Sequence, residues 1–150
     1  MKKTISLLLT FTLLFLLTSC TGEISISDSE YYTDFDSVYI TIDAVEGEGK
    51  EQKLLVTWHN ETDMPVIFGY AYSIEYSKDG EWKKVLKKDF AIIEIACVVE
   101  PENVARMSYK TEYFDLSREG VYRLIVDFYV QTGGESNSQG TTYAEFSVKK

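Results

Sequence analysis

The sequence predicts an all-β fold, an antiparallel sandwich of about seven to eight short strands. Three observations predict it. From Val38 onward, apolar and polar residues alternate with a period of two. Turn signals rich in Gly, Asn and Asp interrupt that alternation at a spacing of about 8–12 residues. No stretch repeats with the helical period of an amphipathic helix.

Each element follows from its own residues. Val38, Ile40 and Ile42 alternate with Tyr39, Thr41 and Asp43, and Glu46-Gly47-Glu48-Gly49 then turns the chain. Leu54, Val56 and Trp58 alternate with Leu55, Thr57 and His59, and residues 60–65 (Asn-Glu-Thr-Asp-Met-Pro) close that strand. Tyr70, Tyr72, Ile74 and Tyr76 oppose Ala71, Ser73, Glu75 and Ser77. Asp79-Gly80 follows as a hairpin turn, because Gly accepts the positive φ that a tight turn requires. Residues 82–86 are the return strand.

Residues 90–99 are apolar on both faces, which fits a doubly covered strand, an exposed apolar surface or a short helical turn. Residues 104–113, 121–131 and 141–148 complete the set, the last two flanking the loop 133–140. Tyr122, Leu124, Val126, Phe128 and Val130 form the cleanest core-facing row.

Composition bounds the function. A chain of 150 residues with 45% hydrophobic residues suits one domain with a substantial core. An aromatic fraction of 14% excludes a wholly disordered chain. A net charge of −9 with no basic face excludes a nucleic-acid binder, which must neutralise phosphates.

Residues 115–124 (Asp-Leu-Ser-Arg-Glu-Gly-Val-Tyr-Arg-Leu) resemble the corner before strand F of immunoglobulin-like domains. In those domains a Tyr near the strand start bonds back to the upstream backbone; Gly120 and Tyr122 hold the matching positions here. With Trp58-His59-Asn60-Glu61-Thr62, Ile74-Glu75-Tyr76, Asp79-Gly80-Glu81-Trp82 and Glu100-Pro101-Glu102, the run from about Leu54 to Phe128 is similar to a bacterial immunoglobulin-like family. The chain departs from that family at Glu102, often Gly there, and residues 105–115 lack the usual Asp-Trp. The resemblance implies an immunoglobulin-like antiparallel β-sandwich, an extracytoplasmic setting and no general catalytic activity.

The N-terminus reads as an address. Lys2 and Lys3 precede an apolar run over residues 5–17 that is too short to span a bilayer and fits the core of a secretory signal peptide. It ends at Leu17-Thr18-Ser19-Cys20, which resembles the lipobox of bacterial lipoproteins. The resemblance implies cleavage before Cys20, a diacylglycerol on its sulfur and an N-acyl group, and membrane lipid as a partner through those chains. Two chains suffice for a stable hold, at about 0.8 kcal/mol per buried methylene. The expected organisation is a signal peptide over 1–19, a lipidated Cys20 with an acidic tether over 20–36 that leaves room for a short pairing segment near Tyr31-Tyr32, and a sandwich domain over 37–150. The expected location is extracytoplasmic, anchored to the cell membrane, or to the outer membrane in a Gram-negative cell. Loss of Lys2 and Lys3 lowers the net charge from −9 to −11, so headgroup attraction is not the anchor.

Catalytic and metal signatures are sparse. His59 is the single histidine and has no nucleophile motif beside it. One His and Cys97 do not make a zinc site, and Cys97, without a disulfide partner, reads as a small apolar residue. Glu46, Glu48 and Glu51 read as a solvated loop rather than a calcium site. No cofactor and no enzyme activity are expected.

The aromatic residues are the feature open to a binding role. Tyr70, Tyr72 and Tyr76 share a strand face by parity, and Trp82 lies across the hairpin. Exposed on a rigid sheet they would stack on sugars or anchor a protein; turned inward they are core. The functional expectation is a lipid-anchored, non-catalytic module that binds or spaces within the cell envelope, with an unidentified protein or glycan partner. An inhibitor of extracytoplasmic proteases, presenting loop 60–65 or 133–140, and a glycan-binding module are the alternatives.

Overall fold

The computed structural model describes residues 22–26, 31–33, 35, 37–88, 95–132 and 138–150. The signal segment 1–19, Cys20 and the apolar stretch 90–94 lie outside them, as do residues 133–137 of the 133–140 loop.

Among the described residues, ten strands form two antiparallel sheets. They are β1 Glu23–Ser25, β2 Tyr31–Thr33, β3 Val38–Glu46, β4 Lys53–Asn60, β5 Val66–Lys78, β6 Glu81–Lys84, β7 Cys97–Val99, β8 Asn103–Lys110, β9 Gly120–Val130 and β10 Ser138–Lys149. One sheet runs β1-β10-β9-β5-β6, with β2 also on β10 and β7 also on β5; the other runs β3-β4-β8. The fold is therefore the all-β sandwich that the alternation predicts.

The inner faces meet in one apolar core. Ile40, Trp58, Phe68, Tyr109, Tyr122, Leu124, Phe128 and Phe146 are all at most 2% exposed. Trp58 stacks on Phe68 with ring centroids 4.1 Å apart and meets Phe128 edge-on at 6.1 Å. Its Nε1–H donates to Tyr109 Oη at 3.1 Å, so the one polar atom of the indole is satisfied in the core. Cys97 is a free, half-buried thiol packed against this core.

The sandwich has two distinct ends. Glu46–Lys53, Lys110–Glu119 and the start of β1 gather at one end, where Glu46 pairs Lys53, Lys53 pairs Lys110 and Glu23 pairs Lys149. At the other end Val38 pairs Asn60, Asn60 pairs Asn103 and Val66 pairs both Val99 and Val130.

Two pieces of the segment 20–36 are paired, one of them at Tyr31 and Tyr32 where a short pairing segment is expected. Glu23–Ser25 pairs Lys149–Ser147 and Tyr31–Thr33 pairs Ala144–Thr142, so both pieces cover the outer edge of β10. The physical reason is that β10 would otherwise present an unpaired row of N–H and C=O groups. Thr33 then closes a local turn, its Oγ1 donating to Phe35 O at 3.0 Å, and Phe35 packs edge-on to Phe128 at 6.2 Å. From there the chain crosses to β3 in the opposite sheet.

Candidate functional site

The predicted aromatic residues do not form one surface. Tyr72 turns toward the core, 5.0 Å from the Tyr109 ring and 5.4 Å from Phe114, with its hydroxyl donating to Lys110 O at 2.5 Å. Tyr76 likewise packs 4.9 Å from Tyr122 and donates to Glu119 O at 3.3 Å. Trp82 lies on the opposite face of the sheet. The two-residue Asp79-Gly80 turn pairs Ser77 with Trp82, and directly paired residues share a face, so Trp82 stands with Ser77 and away from Tyr76. Tyr70 is separated from both by an irregularity. Phe68 pairs Phe128 but Tyr72 pairs Val126, so β5 carries two extra residues in that interval; parity is kept from Phe68 to Tyr72 but fails at the unpaired residues between them. Tyr70 is consequently exposed at the rim of two grooves.

On Trp82's face a cation is held between rings. The Arg123 guanidinium sits 4.4 Å from the Trp82 centroid and 4.5 Å from the Tyr143 centroid. Its Nε and Nη2 both donate to Glu75 Oε2, at 2.9 Å and 2.6 Å. Stacking plus charge-assisted hydrogen bonds fix this side chain, so Trp82 is engaged within the sheet surface.

Gly120 and Tyr122 occupy a tight corner. Tyr122 Oη donates to Arg118 O at 2.7 Å, drawing the 115–119 turn against the start of β9. Gly120 has φ +147°, and a Cβ there would lie 2.8 Å from Tyr76 Cε2. Only glycine fits both the backbone and the ring that covers it.

The outer face of β3-β4-β8 carries a groove of mixed, largely apolar lining that no motif announces. It encloses about 840 Å³ and is lined among others by Asp43, Thr57, His59, Tyr70, Val104 and Arg106. His59 stacks on Tyr39 at 4.5 Å with an interplanar angle of 8°. Its Nε2 is 3.0 Å from Thr41 Oγ1, and that hydroxyl donates to Asp43 Oδ1 at 3.2 Å. The hydroxyl proton being directed to the carboxylate, Nε2 is the donor of the first bond. Thr57 Oγ1 donates to the other oxygen of Asp43. A β-bulge between Ile42 and Ala44 places Asp43 beside both threonines.

This order is not that of a hydrolase triad, where the imidazole lies between carboxylate and nucleophile. Here the hydroxyl lies between them, and the imidazole is a donor. What the groove offers is the His59 imidazole backed by Tyr39, the Asp43 carboxylate, the Arg106 guanidinium and an apolar flank from Leu55, Val104 and Met107. Those are groups that hold a polar, hydroxyl-bearing ligand in place. Among the described residues no group of three or more His, Cys, Asp or Glu is placed to hold a metal ion, and no helix is long and apolar enough to cross a membrane.

At the far end, Asn60 braces the 60–65 loop. Its amide donates to Met64 O at 2.8 Å, Val99 O at 3.0 Å and Glu100 O at 3.1 Å. Its carbonyl accepts from Thr62 N at 3.0 Å and Thr62 Oγ1 at 2.7 Å.

Two sheets with a tyrosine-closed corner before a long central strand define an immunoglobulin-type sandwich. The model of the Bacterial Ig-like domain family matches residues 34–147, and the chain belongs to that family. Domains of this family are generally non-enzymatic and usually extracellular or surface-exposed. Comparison with curated proteins gave no match.

Proposed function

We propose that the chain is a lipid-anchored extracytoplasmic immunoglobulin-like module that acts by binding or spacing in the cell envelope. The observation that carries the anchor is the sequence Leu17-Thr18-Ser19-Cys20 at the end of a basic-then-apolar leader. A diacylglycerol thioether and an N-acyl group on Cys20 then hold the protein in the outer leaflet of the membrane it faces. Replacing Cys20 by Ser tests this directly. The expected result is loss of palmitate incorporation and release from the membrane fraction; unchanged retention overturns it.

The groove lined by Asp43, Thr57 and His59 favours a glycan as the ligand of such a module. Stacked rings beside fixed hydroxyl and carboxylate groups suit a sugar face and its hydroxyls. The tyrosines of β5, turned largely inward at Tyr72 and Tyr76, do not support that role. Glycan-array binding by the wild-type chain, abolished in His59→Ala, is the expected outcome. Binding untouched by that substitution removes the groove from consideration.

A further inference from the structure

One row of side chains crosses the outer face of β3-β4-β8 from edge to edge. Thr41 pairs Thr57 and Thr57 pairs Arg106, and directly paired residues share a face. The row is charged at both ends. The bulge in β3 brings the Asp43 carboxylate beside Thr41, and Arg106 closes the row on β8. At about 4.8 Å per strand, the backbones that carry these two charges lie about 10 Å apart across the groove.

The two charges are used differently. Each oxygen of Asp43 accepts a threonine hydroxyl, one from Thr41 and one from Thr57. Arg106 is exposed, and among the described residues it makes no hydrogen bond, ion pair or ring contact. The other two arginines of the domain are both engaged. Arg123 is held by Glu75, Trp82 and Tyr143, and Arg118 lies 6.0 Å from the centre of the Tyr76 ring. Around Arg106 the groove is flanked by Leu55, Val104 and Met107. A charged donor beside an apolar flank suits a ligand that brings an anionic group on an apolar face.

We infer that the groove takes an acidic sugar, with Arg106 as the residue that selects it. The ligand's carboxylate or phosphate pairs with the guanidinium, and its hydroxyls reach the lone pairs that Asp43 keeps in reserve. This rests on the glycan reading of the groove and narrows it to one charge class. A planar guanidinium presents parallel N–H donors that a carboxylate or phosphate accepts two at a time, a match that a neutral sugar cannot return. An amino sugar would bring a second cation to a groove whose guanidinium is already unpaired. The net charge of −9 does not oppose an anion here. Exposed charges more than about 8 Å away are largely screened at physiological ionic strength. Asp43 is the one carboxylate among the described residues that line the groove.

The test is an array of neutral, amino, uronate-bearing and phosphate-bearing sugars probed with the full chain, followed by titration of the strongest ligand. The expected result is a preference for acidic sugars. Methyl esterification of the ligand's carboxylate, or phosphatase treatment where its charge is a phosphate, is expected to weaken binding about tenfold or more, and the two treatments tell the two sources apart. Arg106→Gln is expected to lose as much, and to bind the charged and the neutralised ligand alike. Equal or stronger binding of neutral or amino sugars overturns the inference, as does an acidic preference that survives in Arg106→Gln. His59→Ala separates this failure from that of the glycan reading. Neutral-sugar binding abolished by His59→Ala leaves the glycan groove standing and removes only the selection by Arg106. Binding to no arrayed sugar removes both.

Discussion

Tyr122 and Arg118 are joined across one turn by a hydrogen bond of 2.7 Å from the phenol to the main-chain carbonyl. Tyr122 is 1% exposed, so removing its hydroxyl leaves an acceptor poorly satisfied at the start of β9. Tyr122→Phe is expected to cost about 1 kcal/mol, or roughly 3–5 °C in Tm, with the fold retained. Calorimetry of the variant checks it. An unchanged Tm means the corner contributes nothing beyond packing.

Tyr122 also makes the domain sensitive to alkali. Burial pushes its phenol from the ordinary value of 10.0 to about 12, and burial raises Tyr72 and Tyr109 as well. Between those values the unfolded chain releases a proton that the folded chain keeps, so stability falls with rising pH. The contribution is complete below about pH 10 and is lost as pH climbs through about 12. Urea midpoints across that window are expected to decline, and Tyr122→Phe is expected to flatten part of the decline.

Asn60 holds two connections with one amide. Asn60→Ala removes its bonds to Met64, Val99, Glu100 and Thr62, with an expected cost of about 2–3 kcal/mol. Asn60→Asp is expected to cost at least as much at neutral pH. It can still accept from Thr62, but its second oxygen faces three carbonyl oxygens. Denaturant unfolding gives the ranking, and faster amide exchange at Thr62 and Glu102 localises the damage.

Arg123 between Trp82 and Tyr143 is open to a coupling measurement. A double-mutant cycle of Trp82→Ala and Arg123→Ala is expected to give about 0.5–2 kcal/mol of interaction. Additive single effects would show that the stacked geometry carries no energy.

The architecture is legible wherever local pattern and pairing agree. In β9 the alternation of Tyr122, Leu124, Val126, Phe128 and Val130 is the observed buried row, and Asp79 and Gly80 take positive φ as a tight hairpin requires. Legibility fails where the cause lies in a partner strand. Three-residue strands such as β1 and β2 have no readable period, and their partner is at the other end of the chain. The inserted residues between Phe68 and Tyr72 break the parity that places Tyr70 with its neighbours. Trp82 was within reach, since a two-residue turn alone sets its face. The groove was not, because Thr41, Asp43, Thr57, His59 and Arg106 come from three strands and make no motif.

The pairing of β1 with the last residues of β10 also sets a timetable. Ser25 meets Ser147, so the first paired strand waits for nearly the whole chain before it has anywhere to go. At about 5–20 residues per second that wait is roughly 6–25 s of synthesis. Before then β3–β4–β8 and β5–β9 already have all their residues, while the edge that β10 covers stays open. A chain that stops before β10 is therefore expected to keep the outer edge of β9 open.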